Sequence, residues 1–395
     1  MQDSSTIKIL THIFDDAITE KASDVHFEPY ANNCRIRLRI DGILYEKTTL
    51  EKNLAQRLCS RLKVMAQLDI AERRLPQDGR FALECHNNKL KRDCRISTCP
   101  TMFGEKIVVR ILNPEHMNLD IGVLGFNDSQ QKIFLEHIAT AQGMILVTGP
   151  TGSGKTVTLY TALSLLNTID HNILTIEDPI EINLPGINQV EVNHKIGLNF
   201  AAALRTFLRQ DPDIIMVGEI RDLETAQIAI KAAQTGHLVL ATLHTNSAAA
   251  SIMRLINMEV ATFNLAGSLN ILIAQRLVRT LCPHCKQTTQ IPANIWQQQK
   301  INLPLDLTQN KENLQIFQPH PTGCTKCKNG YSGRTGVFEL LPISESISEI
   351  ILNNPNASSI EQQAQQEGML NLQTIGWQKV FFGETSIAEI NRVLL

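Results

Sequence analysis

The segment ILVTGPTGSGKTV, residues 145–157, contains a glycine-rich phosphate-binding motif. It matches G-x-x-x-x-G-K-[ST] in full and lies between an apolar run and a helical pattern, which is the context that the motif requires. Lys155 is expected to reach the β- and γ-phosphates of a nucleotide, and the Thr156 hydroxyl to ligate Mg²⁺. Backbone N–H groups in such a loop converge on phosphate oxygens. The predicted nucleotide-binding residues are Gly149, Pro150, Thr151, Gly152, Ser153, Gly154, Lys155 and Thr156.

Hydrolysis of that nucleotide needs acidic side chains near the phosphates, and two segments supply them. DIIMVGEIRD delivers Glu219 at the end of an apolar strand, where ligands bind in α/β sheets. Gly218 stands where the usual second acidic motif has Asp, so Glu219 is the candidate that orients or activates the attacking water. TIEDPIE adds Glu177, Asp178 and Glu181 at another strand end. Because strand-end acids also cap helices, a surface role is the alternative for this second group.

Two histidines flank the predicted strand of GHLVLATLHTN. His244 follows the strand, at the sheet edge expected to hold Lys155 and Glu219, where an imidazole can sense or polarise a γ-phosphate. His237 precedes the strand. For either histidine taken alone, a structural role is the alternative.

Four cysteines form two C-x-x-C pairs, Cys282 with Cys285 in CPHC and Cys324 with Cys327 in CTKC. Each pair can donate two thiolates, and four sulfur ligands favour a closed, structural Zn²⁺ site in a reducing compartment. Redox chemistry is the alternative. The other five cysteines lack metal spacing and are interpreted as small apolar residues: Cys34, Cys59, Cys85, Cys94 and Cys99.

The composition bounds the class of protein. The 395 residues are 43% hydrophobic and 19% charged, and the formal net charge is −2. This length predicts two or three domains. Near-neutral charge and an aromatic content of 5% disfavour direct nucleic-acid binding. Because no apolar run approaches the roughly 20 residues that cross a bilayer, and the start lacks a signal-peptide pattern, we expect a cytoplasmic protein.

Residues 1–112 are predicted to form a mixed α/β domain. TIKILTHIFDDAITEKA has the apolar spacing of a helix, and CRIRLRIDGILYE alternates as a hairpin with a turn at Asp41-Gly42. DCRISTCP and EKIVVRIL are expected to be two further strands. Residues 113–128 are expected to be a linker.

The remainder of the chain is predicted to alternate strands with helices, which indicates a parallel sheet. This nucleotide-binding core is expected over 129–281, with 248–281 mostly helical. Asp222 is a predicted helix N-cap. A cysteine-bearing module over 282–335 and a C-terminal helical segment over 336–395 complete the chain.

The core segments occur in one order: GPTGSGKT, ILTIEDPIE, LRQDPDIIMVGEIRDLETAQIA and TGHLVLATLHTN. This series resembles the secretion and pilus-assembly ATPases of the GspE/PilB type. ASDVHFEPY, RIRLRIDG, RLPQDGR and LAQRLVRTLCPHC extend the resemblance over nearly the whole chain. It implies an α/β protein in which a smaller PAS-like α/β domain precedes a RecA-like P-loop ATPase domain, with a tetracysteine zinc module and C-terminal helices.

The resemblance also implies partners. Such ATPases form homo-hexameric rings that turn over ATP to move an inner-membrane platform protein, which adds or extracts pilin subunits. The protein would then be cytoplasmic and peripheral at the inner membrane through its partners.

Residue roles follow from the same resemblance. Arg95 in DCRIS and Arg110 in VVRIL match N-domain arginines that approach the phosphates, where a guanidinium stabilises charge on the transferring group. A solvated strand face is their alternative. The Gly218–Glu219 pair is a family trait. Glu177, Asp178 and Glu181 match the family's acidic box, which lies on the Mg²⁺ and water side. His237 and His244 match its histidine box.

Several functions stay open on the sequence. Assembly of a type IV pilus or pseudopilus is favoured, with a type II secretion motor as the alternative and a nucleic-acid translocase as the alternative from another class. A non-hydrolysing scaffold is disfavoured by the intact Lys155 and Glu219. Longer family members carry a further N-terminal domain, whereas this chain begins almost at its PAS-like domain, which leans toward a pilus or competence system. Retraction motors usually lack the tetracysteine module, which favours assembly.

Overall fold

The computed structural model describes residues 2–84, 91–112, 118–290 and 315–394. The chain divides into two compact units, Met1–Met117 and Asn118–Leu395. Within the described ranges, no helix has the length and apolar character that a membrane span requires.

Over its described residues, the first unit is a six-stranded antiparallel sheet with two helices. Its elements are α1 (Gln2–Thr19), β1 (Asp24–Pro29), β2 (Asn33–Ile40), β3 (Ile43–Glu51), α2 (Lys52–Met65), β4 (Gln77–Glu84), β5 (Lys91–Thr101) and β6 (Gly104–Ile111). The spatial order is β3-β2-β1-β6-β5-β4. Apolar side chains of one sheet face pack with both helices in a single core that includes Phe14, Phe27, Leu38 and Leu62.

The predicted hairpin of the first unit is confirmed as β2 and β3. Asp41 and Gly42 have φ angles of 48° and 84°, and positive values at both positions are what a two-residue turn of type I′ needs. The two strands predicted after it are β5 and β6, which pair with each other.

The second unit is built on a seven-stranded sheet with the order β15-β12-β7-β11-β10-β8-β9. Its first elements are α3 (Ile121–Leu124), α4 (Asp128–Ile138), β7 (Gly143–Thr148), α5 (Lys155–Leu166), β8 (Ile173–Glu177), β9 (Asn188–Glu191), α6 (Phe200–Phe207), β10 (Ile214–Val217), α7 (Leu223–Gln234) and β11 (Leu238–Leu243). A short 3₁₀ turn covers His194–Ile196. The Asp222 side chain caps α7, as predicted.

The later elements complete this sheet and its cover. They are α8 (Ala248–Asn257), α9 (Thr262–Ala266), β12 (Leu269–Leu281), β13 (Gln287–Gln290), β14 (Gln315–Gln318), β15 (Tyr331–Pro342), α10 (Glu345–Asn353), α11 (Ala357–Gln366), α12 (Leu372–Phe381) and α13 (Ile387–Leu394). Strands β12, β7, β11, β10, β8 and β9 run parallel, and β15 is antiparallel to β12. The parallel α/β architecture predicted for this region is confirmed.

The expectation that 248–281 is mostly helical is wrong for its second half, which forms β12. This strand is buried on both faces, with Leu272 and Ile273 both fully inaccessible. Such a strand reads as a continuous apolar run, and periodicity cannot distinguish that run from a buried helix. The expectation of a helical segment over 336–395 is wrong at its start, because residues up to Pro342 belong to β15, which pairs with β12.

The C-terminal helices pack on the sheet of the second unit. Ile351 and Ile360 of α10 and α11 belong to the same core as the sheet residues Leu272 and Leu341. Trp377 and Ile390 of α12 and α13 pack around β12 and β15 in a second cluster. The sheet is therefore covered by the end of the chain as well as by the helices between its strands.

Candidate nucleotide-binding and catalytic site

The phosphate-binding loop leaves the buried strand β7 and ends at the first residue of α5. Gly149, Gly152 and Gly154 have positive φ angles of 151°, 80° and 90°. A Cβ atom on Gly149 would lie 2.5 Å from the carbonyl oxygen of Gln275 on β12, so only glycine fits there. The Ser153 hydroxyl is buried and has no hydrogen-bond partner among the described residues. These features suit a polar, anionic ligand.

Lys155 is held at the centre of this loop. Its side chain is 9% exposed, and its Nζ donates to the carbonyl oxygens of Gly149 at 2.8 Å and Pro150 at 3.3 Å. Burial, with a smaller contribution from the charge of Arg276, lowers the pKa of Lys155 to about 8. A lysine kept at the loop in this way is placed to pair with phosphate oxygens.

The sheet edge brings Lys155, His244 and Glu219 together, as the strand ends predicted. Nζ of Lys155 lies 3.4 Å from Nδ1 of His244, and Nε2 of His244 lies 3.4 Å from Oε2 of Glu219. Burial, followed by the charge of Lys155, lowers the pKa of His244. Oε1 of Glu219 accepts a hydrogen bond from Arg221. The candidate water-orienting carboxylate is thus held from both sides.

Gly218 allows the end of β10 to approach β8 closely. Its backbone N–H donates to the Ile176 carbonyl at 2.8 Å. A Cβ at this position would lie 3.2 Å from the same carbonyl oxygen and 3.3 Å from Cα of Glu177. The tight approach gives a physical reason for glycine where the usual motif has Asp.

Glu177 is buried at the end of β8 and is part of a hydrogen-bond network. It accepts from the Thr175 hydroxyl at 2.6 Å, from Nε2 of Gln189 at 3.1 Å and from the Tyr160 hydroxyl. Burial raises the pKa of Glu177. The network joins α5, β8 and β9 and gives Glu177 a structural role, while its role in hydrolysis stays a prediction.

The other two acids of that segment lie closer to solvent. Oδ2 of Asp178 is 4.0 Å from Nη2 of Arg221 and 3.9 Å from Nε2 of His194. The backbone N–H of Glu181 lies 3.3 Å from the Tyr160 hydroxyl. The shared contact with Arg221 places Asp178 beside Glu219.

His237 lies at the opposite end of β11 from His244. Leu238 pairs with Gly143 at the start of β7, whereas Leu243 pairs with Thr148 at its end. The intervening strand spans about 20 Å, and Nδ1 of His237 contacts the Ala232 carbonyl at 2.9 Å. Within one chain, the structure therefore does not bring His237 to the phosphate-binding loop, contrary to its assignment to the nucleotide.

The two predicted arginines of the first unit are direct neighbours. Arg95 of β5 pairs in register with Arg110 of β6. Nε of Arg110 donates to Oδ1 of Asp24 at 3.1 Å, and 55% of its side chain is exposed. Arg95 is half-buried. Their approach to the phosphates stays a prediction.

Two residues of β12 belong to the site although sequence reasoning assigned them no role. Gln275 is 2% exposed, and its Oε1 accepts from the Thr158 hydroxyl at 2.8 Å, which ties β12 to α5 behind the loop. Arg276 donates through Nη2 to the Asn246 carbonyl at 3.0 Å. Their signal in the sequence is a polar pair inside the apolar run NILIAQRLV.

The four paired cysteines converge between the end of β12 and the start of β15. All four Sγ atoms lie within 4.8 Å of one another. The Sγ–Sγ distances are 3.8 Å for Cys282 and Cys324, 3.6 Å for Cys285 and Cys327, and 3.7 Å for Cys324 and Cys327. A tetrahedron with Zn–S bonds of about 2.3 Å has S–S edges of roughly 3.8 Å, so the cluster fits Zn²⁺.

The other described cysteines belong to the first unit. Cys34 and Cys94 are buried, Cys59 is partly buried and Cys99 is exposed. Cys85 lies outside the described residues.

A parallel sheet that carries its phosphate loop on a central strand, with acids at the ends of neighbouring strands, defines a P-loop ATPase. The family model described as "Type II/IV secretion system protein" matches residues 1–392, so this chain belongs to that family. The predicted family and the predicted α/β P-loop fold are thereby confirmed.

Two sequence relatives agree with this membership. The chain is 54% identical over 391 residues to the type IV pilus assembly ATPase PilB of Acinetobacter baylyi, covering 99% of this chain and 66% of that protein. It is 44% identical over 392 residues to the type II secretion system protein E of Aeromonas hydrophila, covering 99% and 76%. The chain thus spans only part of the length of these relatives.

A solved structure of similar fold is the pilus retraction motor PilT with bound ADP. The two share a TM-score of 0.62 and 26% sequence identity, over 96% of this chain and 95% of that one.

Proposed function

We propose that this chain hydrolyses ATP and that a homo-hexamer of it uses the energy to assemble type IV pilus or pseudopilus subunits at an inner-membrane platform protein. The observation that carries the proposal is the arrangement of Glu219 beside Lys155 and His244 at the end of the phosphate-binding loop. The type II secretion motor is the alternative because relatives of both kinds match nearly the whole chain. The greater identity to the pilus ATPase favours the pilus.

The chemistry divides among the residues of the second unit. The loop Gly149–Thr156 holds the phosphates and Lys155 pairs with their oxygens. Thr156, with Asp178 and Glu181, would hold Mg²⁺, which neutralises phosphate charge when it is bound. Glu219 orients the attacking water, and His244 contacts both Glu219 and Lys155.

Arg95 and Arg110 are proposed to stabilise the charge that develops on the transferring phosphoryl group. Their adjacency on β5 and β6 supports a joint role. The tetracysteine cluster is proposed to bind one structural Zn²⁺, and the protein to work on the cytoplasmic side of the inner membrane through its partners.

Steady-state phosphate release from MgATP tests the enzymatic part. We expect Lys155→Ala and Glu219→Gln to lower kcat by about 100-fold or more, since each removes a group at the reacting phosphate. Glu349→Gln, at an exposed glutamate of α10, is the matched control and should keep the wild-type rate. Arg95→Ala and Arg110→Ala are assayed alongside. Wild-type chain without ATP turnover would contradict the proposal.

Complementation of a deletion strain tests the biological part. Wild type and Lys155→Ala are compared for surface pili, DNA uptake and secreted proteins. Pili or uptake restored only by wild type supports pilus assembly. Secretion lost in the deletion strain while pili persist would identify the type II secretion motor instead.

A further inference from the structure

The chain on either side of Arg221 is held by hydrogen bonds. Ile220 is buried and its N–H donates to the Thr242 carbonyl of β11 at 3.0 Å. Asp222 accepts from the Thr225 N–H at 2.8 Å and thereby starts α7. Arg221 lies between these two anchors. The backbone of Arg221 is therefore fixed on both sides, although 59% of its side chain is exposed.

The guanidinium of Arg221 contacts acids from two different strand ends. Nη2 donates to Oε1 of Glu219, which follows β10. The same nitrogen lies 4.0 Å from Oδ2 of Asp178, which follows β8. Arg221 therefore bridges the two acidic segments of the site.

The second oxygen of Glu219 is held by His244. Burial and Lys155 lower the pKa of His244, so its imidazole is neutral near pH 7. A neutral ring with its proton on Nε2 can donate to Oε2 of Glu219 and accept on Nδ1 from the Lys155 ammonium, at 3.4 Å in each case. One tautomer satisfies both contacts. The carboxylate thus has a different donor on each oxygen.

We propose that Arg221 is a positioning residue for ATP hydrolysis. Together with His244 it fixes both carboxylate oxygens of Glu219. Its contact with Asp178 fixes the distance between Glu219 and the acidic segment that follows β8. The inference rests on the proposed ATPase function. It differs from a phosphate-binding role for Arg221, because positioning affects the chemical step and phosphate contact affects nucleotide affinity.

Kinetics of Arg221→Ala and Arg221→Lys in the full chain separate these roles. We expect Arg221→Ala to lower kcat by about 10- to 100-fold, the effect of a misplaced catalytic group, with KM for MgATP within about threefold of wild type. Arg221→Lys restores a cation and should recover most of the loss. Lys132→Ala is the control, because that lysine pairs with Glu136 on an exposed face of α4 and should leave kcat unchanged.

A double-mutant cycle with Glu219→Gln makes the test specific. If Arg221 acts through Glu219, then Arg221→Ala causes little further loss in the Glu219→Gln background, and the two effects are far from multiplicative. Affinity for a fluorescent ATP analogue should be unchanged in Arg221→Ala. Thermal melting identifies a variant that fails to fold. If Arg221→Ala is such a variant, Arg221→Lys replaces it in the double-mutant cycle.

Three results would overturn the inference. A kcat of wild-type size in Arg221→Ala excludes positioning, a large loss of analogue affinity assigns Arg221 to phosphate binding, and multiplicative losses in the cycle separate it from Glu219. Absence of turnover in the wild-type chain is a different result, since it contradicts the proposed function itself.

Discussion

Lys155 and His244 are neighbouring basic groups, and the charge of Lys155 influences the protonation of His244. Burial lowers the pKa of Lys155 to about 8 and also lowers the pKa of His244, and the charge of Lys155 lowers the pKa of His244 further. Glu219 opposes this effect on both, and Arg221 adds a small effect of the same sign on His244. Between the two pKa values, Lys155 is charged and His244 is neutral. That combination is the one in which the lysine can donate to Nδ1.

This charge state predicts a bell-shaped dependence of kcat/KM on pH. The value should fall above about pH 8 as Lys155 loses its proton. On the acid side, kcat/KM should decrease only below the usual histidine pKa of about 6.5, as His244 gains a proton. We expect His244→Gln to have lower activity than wild type. Because glutamine cannot be protonated, its kcat/KM should decrease less at low pH.

The comparison is made with MgATP from pH 5.5 to 9, so that the titration of ATP itself is common to both proteins. An acid limb of equal position and depth in wild type and His244→Gln would assign the limb to another group. The prediction would then fail even if both enzymes are active.

At the scale of elements, α13 is attached to β12 by a buried ion cluster. Glu389 is fully inaccessible and accepts from the backbone N–H and the side chain of Arg279, and from Arg392. The register of β12 with β15 shifts just after Arg279. Burial alone would raise the pKa of Glu389, but the hydrogen bonds from Arg392 and Arg279 lower it to about 2. The carboxylate is therefore stabilised in its charged form.

Glu389→Gln should destabilise the second unit by about 3 kcal/mol, because it leaves Arg279 without its buried counter-ion. The stabilisation is fully present above the ordinary glutamate pKa of about 4.3 and is lost as pH falls toward 2, since the folded-state pKa is the lower one. Urea unfolding at pH 7 and pH 3.5 measures both effects. Glu349→Gln should unfold like wild type, and equal midpoints for all three proteins would refute the role of the cluster.

At the scale of the whole molecule, each unit groups its charged or ligand-binding residues on its own sheet. The first unit aligns Arg80, Arg95, Arg110 and Arg39 with Asp24 in one row across its sheet. The second unit holds the phosphate-binding loop and the cysteine cluster at different places along β12. Gln275 lies at the loop and Cys282 follows seven positions later in the sequence, a distance of about 23 Å along an extended strand.

This separation predicts that the metal site and the nucleotide site can be disabled independently. The purified chain should contain one zinc per polypeptide, and Cys285→Ser should lose it and melt at a lower temperature. Its affinity for a fluorescent ATP analogue should stay within about twofold of wild type. Cys99→Ser, at an exposed cysteine outside the cluster, should keep its zinc. Metal analysis by atomic absorption that finds no zinc in wild type would exclude the site.

The sequence by itself determined the features whose chemistry lies in consecutive residues. The loop Gly149–Thr156, the Asp41-Gly42 turn and the two C-x-x-C pairs depend on neighbours along the chain, so their spacing was sufficient. The placement of Glu219 and His244 at one edge also followed, because parallel strands end together.

The tertiary structure alone decided what depends on contacts between distant residues. It placed His237 at the far end of β11, made a strand of the apolar run at 269–281, and brought Gln275 behind the phosphate-binding loop. It also gave Glu219 its two partners, His244 and Arg221. These contacts depend on how whole elements pack against one another, which local apolar periodicity does not specify.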